Sequence, residues 1–137
     1  MRLAALALLV LAQPAFAEIH EVKMLNRGDS GPMVYEPAFL QIAPGDTVRF
    51  LSSQPGHNAA SIDGMLPEGA QAFRSRLNQD FDLTLDVPGN YGIKCSPHYA
   101  MGMVMLIRVG GAPAVHLPDD LPKRARERLD AIIAAHP

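Results

Sequence analysis

The stretch that decides the fold is FDLTLDVPGNYGIKCSPHYAMGMVMLIRVG, residues 81–110. Its first half alternates apolar and polar side chains with a period of two, which is the pattern of a strand with one buried face. The apolar positions of this half are Phe81, Leu83, Leu85 and Val87. A turn is predicted at 88–90, and the alternation resumes at Tyr91, which directs the side chain of Cys95 into the core. A final strand is predicted over 103–109.

The chain before this stretch also predicts short strands, over residues 19–25, 39–42 and 47–51. Residues 26–31 are rich in turn-forming types and predict a turn. Residues 63–79 have a mixed character and predict a long connection with one helical turn. Many short strands separated by turn residues indicate an antiparallel sandwich or barrel.

The C-terminal residues predict a helix, because apolar side chains recur there at helical spacing opposite a charged face. The apolar positions are Leu121, Ala125, Leu129, Ile132 and Ile133. Asp119 and Asp120 would lie near its start, where the helix dipole favours acidic groups, and Pro122 fits only the first turn. We expect the sandwich over about 18–111 and the helix over about 119–135, capping an edge or one face of the sandwich. The arginines of this helix are expected to form a solvated face.

The N-terminal residues 1–17 have the features of a secretory signal. Arg2 supplies a positive start, residues 3–12 form an apolar run too short to span a bilayer, and an Ala-x-Ala cleavage motif ends at Ala17. Cleavage there would leave one domain, 18–137. We therefore predict a soluble, exported monomer, for which a bacterial periplasm is the expected compartment.

The composition excludes several classes of protein. The 137-residue chain is 48% hydrophobic, which is too apolar for a disordered protein. Its formal net charge of -2 gives no basic excess for nucleic-acid binding. A single Cys excludes an intramolecular disulfide and any multi-Cys zinc or iron–sulfur site. In an oxidising compartment Cys95 is thus buried and inert, paired between chains, or held by a metal.

One group of residues carries chemistry. Cys95, His98 and Met103 lie within nine positions, and His57 follows a Pro-Gly break upstream. Two imidazoles, a thiolate and a weak thioether form the ligand set of a blue-copper electron-transfer centre. The spacing Cys-x2-His-x4-Met, with an upstream His-Asn in an exported all-β chain, indicates such a centre.

Each of these residues also has an ordinary explanation. A buried Cys is most often a small inert hydrophobic residue, and a lone His57 is usually structural or solvated. Three methionines lie in or near the loop, and two of them are expected to fill the core. The three are Met101, Met103 and Met105. Cys95 and His98 could instead form the nucleophile pair of an enzyme, although no oxyanion-hole motif or third orienting group accompanies them. A zinc-binding or copper-carrying module without redox duty is a further alternative. His20, His116 and His136 are expected to be structural or solvated, and His136 is expected to lie at a frayed end.

Over nearly all of the chain after residue 17, the sequence resembles the pseudoazurins, type 1 copper proteins of the cupredoxin fold. The matching segments are 24–26, 33–38, 44–48, 56–58, 67–70, 94–95, 97–103 and 126–131. The gap between His98 and Met103 also occurs in plastocyanin, but the helical tail favours the pseudoazurins. The resemblance implies an all-β, cupredoxin-like antiparallel Greek-key β-sandwich with a C-terminal helical tail.

The resemblance further implies one type 1 copper ion per chain, cycling between Cu(I) and Cu(II), with His57, Cys95, His98 and Met103 as metal ligands. It implies that Asn58 steadies the ligand loop and that backbone near it donates a hydrogen bond to the Cys95 sulfur. Members of the family carry single electrons in the periplasm. They commonly reduce a copper nitrite reductase in denitrification, and some exchange electrons with c-type cytochromes. We therefore expect an electron carrier, not an enzyme, whose redox partners dock at the His98 end.

Two departures from the family pattern concern this docking end and the tail. Arginines replace most of the lysines that usually surround the exposed His edge, and Pro55 stands where a Lys is common. The basic residues expected there are Arg27, Arg74, Arg76 and Lys94. The segment 112–122 is shorter than usual, so the first of two C-terminal helices is expected to be reduced to a turn.

Overall fold

The computed structural model describes residues 16–111 and 113–137. Of the predicted signal sequence, residues 1–15 lie outside the described residues, so the signal sequence and its cleavage stay predictions. Within the described residues, we find no helix with the length and apolar character needed to cross a bilayer.

The described residues form eight strands and one α-helix, together with a 3₁₀ turn at Tyr99–Met101. The strands are β1 Ile19–Gly28, β2 Gly31–Glu36, β3 Phe39–Ile42, β4 Thr47–Leu51, β5 Ala60–Ser61, β6 Phe81–Thr84, β7 Gly89–Lys94 and β8 Val104–Val109. The helix, α1, spans Lys123–Ala135. Two four-stranded sheets, with orders β2-β1-β4-β6 and β3-β8-β7-β5, make the predicted sandwich.

The sheets are mixed, which corrects the purely antiparallel prediction. β1 pairs with β4 and β3 pairs with β8 in parallel, whereas the other ladders are antiparallel. The chain makes the hairpin β1–β2, crosses to the other sheet for β3 and returns for β4, which places β4 beside β1 in the same direction. Side chains alternate with a period of two in both kinds of ladder, so the sequence pattern did not distinguish them.

All six predicted strands are present, whereas β2 and β5 were not predicted. β3 and β4 have the predicted bounds, and β1 continues three residues beyond its prediction. β2 was missed because the predicted turn over 26–31 includes its first residue, Gly31. The predicted alternation after Phe81 holds in burial as far as Val87, although β6 itself ends at Thr84.

Two apolar clusters form the core of the described residues. The larger lies between the sheets and includes Val22, Phe50, Ile93 and Cys95. The smaller lies between the outer face of β8 and the helix α1, where Ala125 and Leu129 are fully buried. This second cluster explains why five of the six residues of β8 are buried, on both faces. The helix therefore covers one face of the sandwich, as predicted.

The helix begins later than predicted, at Lys123, with Pro122 at its N-cap. No acidic residue lies in its first turn, so the predicted dipole role of Asp119 and Asp120 is wrong; these residues form a preceding turn. Among residues 113–122 there is no helix, in agreement with the expected loss of the first tail helix.

Candidate metal centre

The loop between β7 and β8 is closed by its own backbone hydrogen bonds. The Cys95 N–H donates to the Met103 carbonyl at 3.0 Å, so the two ends of the loop are paired. The His98 carbonyl accepts two N–H groups, from Met101 at 3.0 Å and Met103 at 3.1 Å. Gly102 adopts a left-handed conformation with φ 86°, which ends the 3₁₀ turn and allows β8 to begin. The loop thereby presents the Cys95 and His98 side chains on one side.

His57 reaches the same place from the segment after β4. Gly56 has φ 97°, and its N–H donates to the Asn78 side-chain oxygen at 2.6 Å. The Asn78 N–H in turn donates to the His57 carbonyl at 3.0 Å. These bonds fix the backbone on both sides of an imidazole that is fully buried.

Three donor atoms converge at this point. Cys95 Sγ lies 3.7 Å from His57 Nδ1 and 3.6 Å from His98 Nδ1, and the two Nδ1 atoms are 3.2 Å apart. The centre of this triangle is about 2.0 Å from each atom, close to the ~2.0–2.1 Å at which imidazole nitrogen binds a zinc-sized ion. The three side chains therefore fit a single transition-metal ion.

The protonation of the ligands suits such an ion. His57 Nε2 is 2.7 Å from the Asn26 side-chain oxygen, which can only accept, so the proton lies on Nε2 and leaves Nδ1 free to bind metal. Burial, and then the nearby His98, lower the pKa of His57 and keep it neutral. Burial raises the pKa of the Cys95 thiol, against the lowering effect of backbone hydrogen bonds from Asn58 and His98. The backbone bond from Asn58 agrees with the expectation from the resemblance.

Asn58 joins the two segments that carry these ligands. Its side-chain oxygen accepts the Ser96 N–H at 2.7 Å, and its amide nitrogen donates to Ser96 Oγ at 3.1 Å and to the Ser75 carbonyl at 3.3 Å. Its own carbonyl accepts the Tyr35 hydroxyl at 2.7 Å. Asn58 thus steadies the ligand loop, as the resemblance implied.

The methionines divide by exposure. Met103 and Met105 are fully buried in the core cluster that contains Cys95, whereas Met101 is 39% exposed. The structure thus brings His57, Cys95 and His98 together and places Met103 in the surrounding core. Met103 as a fourth ligand remains a prediction.

The other histidines lie away from this centre. His20 Nε2 is 2.9 Å from the Asp46 carboxylate, and the His116 side chain is exposed. His136 stacks on Phe39 with ring centroids 3.9 Å apart, so it is packed and not a frayed terminus as predicted.

Two residues near the centre escaped the sequence analysis. Asn26 lies in a segment that was interpreted as a turn, although its side chain orients His57. Arg128 was expected on a solvated helix face, and this expectation is wrong. Its guanidinium donates to the carbonyls of Pro32 at 2.6 Å and Gly102 at 2.9 Å, and also to that of Met33. Arg128 therefore ties α1 to the β1–β2 hairpin and to the end of the ligand loop.

Comparisons with known proteins agree with this geometry. Residues 22–110 match the family model of copper-binding proteins of the plastocyanin/azurin family. A pseudoazurin of Paracoccus pantotrophus is 50% identical over 96% of this chain and 92% of its own length. A putative pseudoazurin of Rhizobium leguminosarum bv. viciae is 45% identical over 93% of this chain and 86% of its own length. The crystal structure of pseudoazurin from Methylobacterium extorquens AM1 has a TM-score of 0.78 at 38% identity, covering 85% of this chain and 98% of that one.

Removing the Arg128 guanidinium should destabilise the protein and loosen the ligand loop. Arg128→Gln leaves carbonyls of the hairpin and of Gly102 without a donor, so we expect a loss of about 1–3 kcal/mol in the free energy of unfolding. Urea unfolding measures this loss, and hydrogen exchange should show faster exchange of the Met103 amide. Lys123→Gln, whose side chain is 89% exposed at the start of the same helix, should change stability by less than about 0.5 kcal/mol. Equal effects of the two variants would contradict the assignment.

Proposed function

The chain belongs to the pseudoazurins, within the plastocyanin/azurin family of copper-binding proteins, and from that premise we propose that it carries single electrons in the periplasm through a type 1 copper site formed by His57, Cys95, His98 and Met103. It is an electron carrier and not an enzyme, and copper is its cofactor. The observation that carries the assignment of ligands is the convergence of two imidazole nitrogens and one thiol sulfur within 3.2–3.7 Å of one another.

The donor set suits a redox ion. Bound copper supplies a Cu(II)/Cu(I) couple that takes up and releases one electron. The chain contributes donors acceptable to both states, since thiolate and thioether sulfur favour Cu(I) and imidazole accepts either. The bonds of Asn26 and Asn58 hold His57 and the ligand loop in place, so the donors would move little when the charge changes. A centre that reorganises little exchanges electrons with a small barrier.

The enzyme alternative fits the structure poorly. Both Cys95 and His57 are fully buried, so no substrate could reach the thiol without opening the core. Burial also raises the pKa of the Cys95 thiol, whereas a catalytic nucleophile needs a lowered one. A bound metal ion would replace the proton of this thiol and stabilise the buried thiolate.

His98 is the proposed point of electron entry and exit. His98 is half-buried, whereas His57 is fully buried. Gly56 lies beside the His98 ring, since a Cβ atom added at Gly56 would be 3.7 Å from His98 Cε1. The adjacent Met101 is 39% exposed and extends an apolar surface beside it. A partner docked here would approach the copper through a single imidazole. Such redox interfaces are small and short-lived.

Basic residues flank this end of the molecule on one side. Ala60 pairs with Lys94 in β5–β7 and forms a bridge with Arg74, so these two cations lie on neighbouring segments. They line a groove of about 450 Å³ together with Ser96 and Tyr99, next to the ligand Cys95. Arg74 is exposed, as are Arg27 and Arg76. The positive charge of these residues favours binding of an acidic partner. As partner we propose a copper nitrite reductase of denitrification and, second, a c-type cytochrome.

The periplasmic location rests on the signal-like residues 1–17 and on cleavage after Ala17. Ala17 and Glu18 are exposed, which is compatible with access by a peptidase. The mature domain would then be 18–137.

Replacing the proposed thiolate should abolish the colour. We expect Cys95→Ser to lose the intense visible band, because only thiolate gives a strong sulfur-to-copper transition. Absorption spectra of the copper-loaded variant, with its copper content measured, test this expectation. Zinc-loaded wild-type protein serves as the colourless control. A coloured Cys95→Ser protein that retains copper would overturn the ligand assignment.

Substitution of each nearby methionine tests which of them is the axial ligand. Met103→Leu should keep copper and colour but raise the reduction potential, because Cu(I) tolerates the three remaining ligands better than Cu(II) does. Met101→Leu and Met105→Leu are the matched controls, and their potentials should stay near that of the wild type. Redox titration of the three variants decides the matter. A rise confined to Met101→Leu or Met105→Leu would show that another methionine binds the metal.

Electron transfer to an acidic partner should depend on charge and salt. The double variant Arg74→Glu/Arg76→Glu should slow the bimolecular rate by about tenfold at low salt, without changing the spectrum. The wild-type rate should fall as salt rises, because exposed charges are screened over about 8 Å at physiological ionic strength. Pro55→Lys should raise the rate by adding a cation beside His98. Stopped-flow oxidation of the reduced protein by a copper nitrite reductase measures these rates. Indifference to both salt and charge reversal would exclude electrostatic steering.

A further inference from the structure

A second cluster of potential metal ligands lies at the start of β1. Glu18, His20 and Asp46 each offer one ligand atom, and these atoms lie within 4.8 Å of one another. His20 Nε2 is 2.9 Å from Asp46 Oδ2 and 3.9 Å from Glu18 Oε2. The Glu18 side chain is 75% exposed, so the cluster can be reached from solvent.

Asp46 is the fixed member of this cluster. Its side chain is only 7% exposed, and it accepts three hydrogen bonds. Oδ1 accepts the backbone N–H of Glu18 at 2.9 Å, and Oδ2 accepts that of Ala43 at 3.0 Å and the ring N–H of His20 at 2.9 Å. These bonds lower the pKa of Asp46, with the bond from Glu18 as the largest cause. The carboxylate is therefore ionised and is held against both the first residue of the mature chain and His20.

Cleavage after Ala17 would change the chemistry of this cluster. The Glu18 nitrogen, 2.9 Å from Asp46 Oδ1, would become a free α-amine, and His20 would become the third residue of the chain. An amine nitrogen, an imidazole nitrogen and a carboxylate oxygen are ligands that Cu²⁺, Ni²⁺ and Zn²⁺ accept. We propose that the mature amino terminus is a second, non-blue site for a divalent late transition-metal ion, bound by the Glu18 α-amine, His20 and Asp46.

The proton balance of this site is simple. An α-amine has an ordinary pKa of about 7.7–8.0, so binding at neutral pH releases one proton from it to solvent. The proton on His20 Nε2 moves to Nδ1 as the metal takes its place against Asp46. The two negative charges of the Glu18 and Asp46 carboxylates then balance the two positive charges of the ion. The site rests on the proposed cleavage, and it is independent of the blue centre.

The two centres are well separated. His20 and Asn26, whose side chain contacts the blue-site ligand His57, are six residues apart along β1. At about 3.3 Å per residue, the strand separates them by roughly 20 Å. An ion at the amino terminus therefore leaves the spectrum of the blue centre unchanged, so each can be measured in the presence of the other.

The experiment titrates Cu²⁺ into the mature, copper-loaded protein that begins at Glu18. Electron paramagnetic resonance separates a new tetragonal signal from that of the blue centre, and competition with glycine gives the dissociation constant. Four variants accompany it: His20→Ala, Asp46→Asn, a chain that begins at Ala17, and His116→Ala as the control histidine. The visible band of every sample reports whether the blue centre is intact.

We expect one further equivalent of Cu²⁺ to bind the wild type and His116→Ala. Binding should weaken on the order of a hundredfold in His20→Ala and at least about tenfold in the other two variants, because each loses one ligand. Unchanged affinity in His20→Ala or in the chain that begins at Ala17 would overturn the site. An unchanged signal in Asp46→Asn would overturn the proposed ligand set, since the ion would then be held by the peptide nitrogens of residues 18–20. Absence of the blue band from the copper-loaded wild type would count against the proposed function. It would not count against this site, because the new signal is measured separately.

Discussion

The metal centre depends above all on the hydrogen bonds between the side chain of Asn58 and Ser96. His57 and Cys95 come from segments 38 residues apart, and their donor atoms must nevertheless lie within 3.7 Å. Asn58 follows one ligand and Ser96 follows the other, so the bonds of 2.7 Å and 3.1 Å between them fix the spacing of the ligands before any metal binds. Asn58 is buried and fully bonded, and a buried amide that lost these partners would be costly. The pairing is therefore both specific and hard to disrupt.

The C-terminal helix supports the same centre from the outside. Leu129 and Ala125 bury the helix on β8, and this packing brings Arg128 to the carbonyls of Pro32 and Gly102. Burial lowers the pKa of Arg128, but a guanidinium held by several carbonyl groups retains its charge. The helix is thus more than a cover for an apolar face, because Arg128 joins the β1–β2 hairpin to the end of the ligand loop.

The features that could be predicted from the sequence are those that depend on residues close together in the chain. The alternation from Phe81 to Val87 and the inward direction of Cys95 depend on local periodicity, and both are present in the structure. The parallel pairing of β1 with β4 depends on where the chain crosses between sheets, which no local pattern encodes. Arg128 contacts residues about 95 positions away, and on the helix alone it is indistinguishable from its solvated neighbours. The same holds for Asn26, whose residue type fits a turn as well as a bond to His57.

The two histidines of the centre are held in different ways, and the difference suits the separate tasks that we propose for them. His57 is fully buried, and its second nitrogen is bonded to Asn26, so its position is set by packing and by a partner on β1. His98 is half-buried, and its position is set by the loop backbone, whose amides at Met101 and Met103 both donate to its carbonyl. A ligand fixed by burial cannot contact a redox partner, and a ligand that contacts a partner cannot be fixed by burial. The closed loop would resolve this conflict for the proposed docking at His98, because main-chain bonds hold the half-buried imidazole in place.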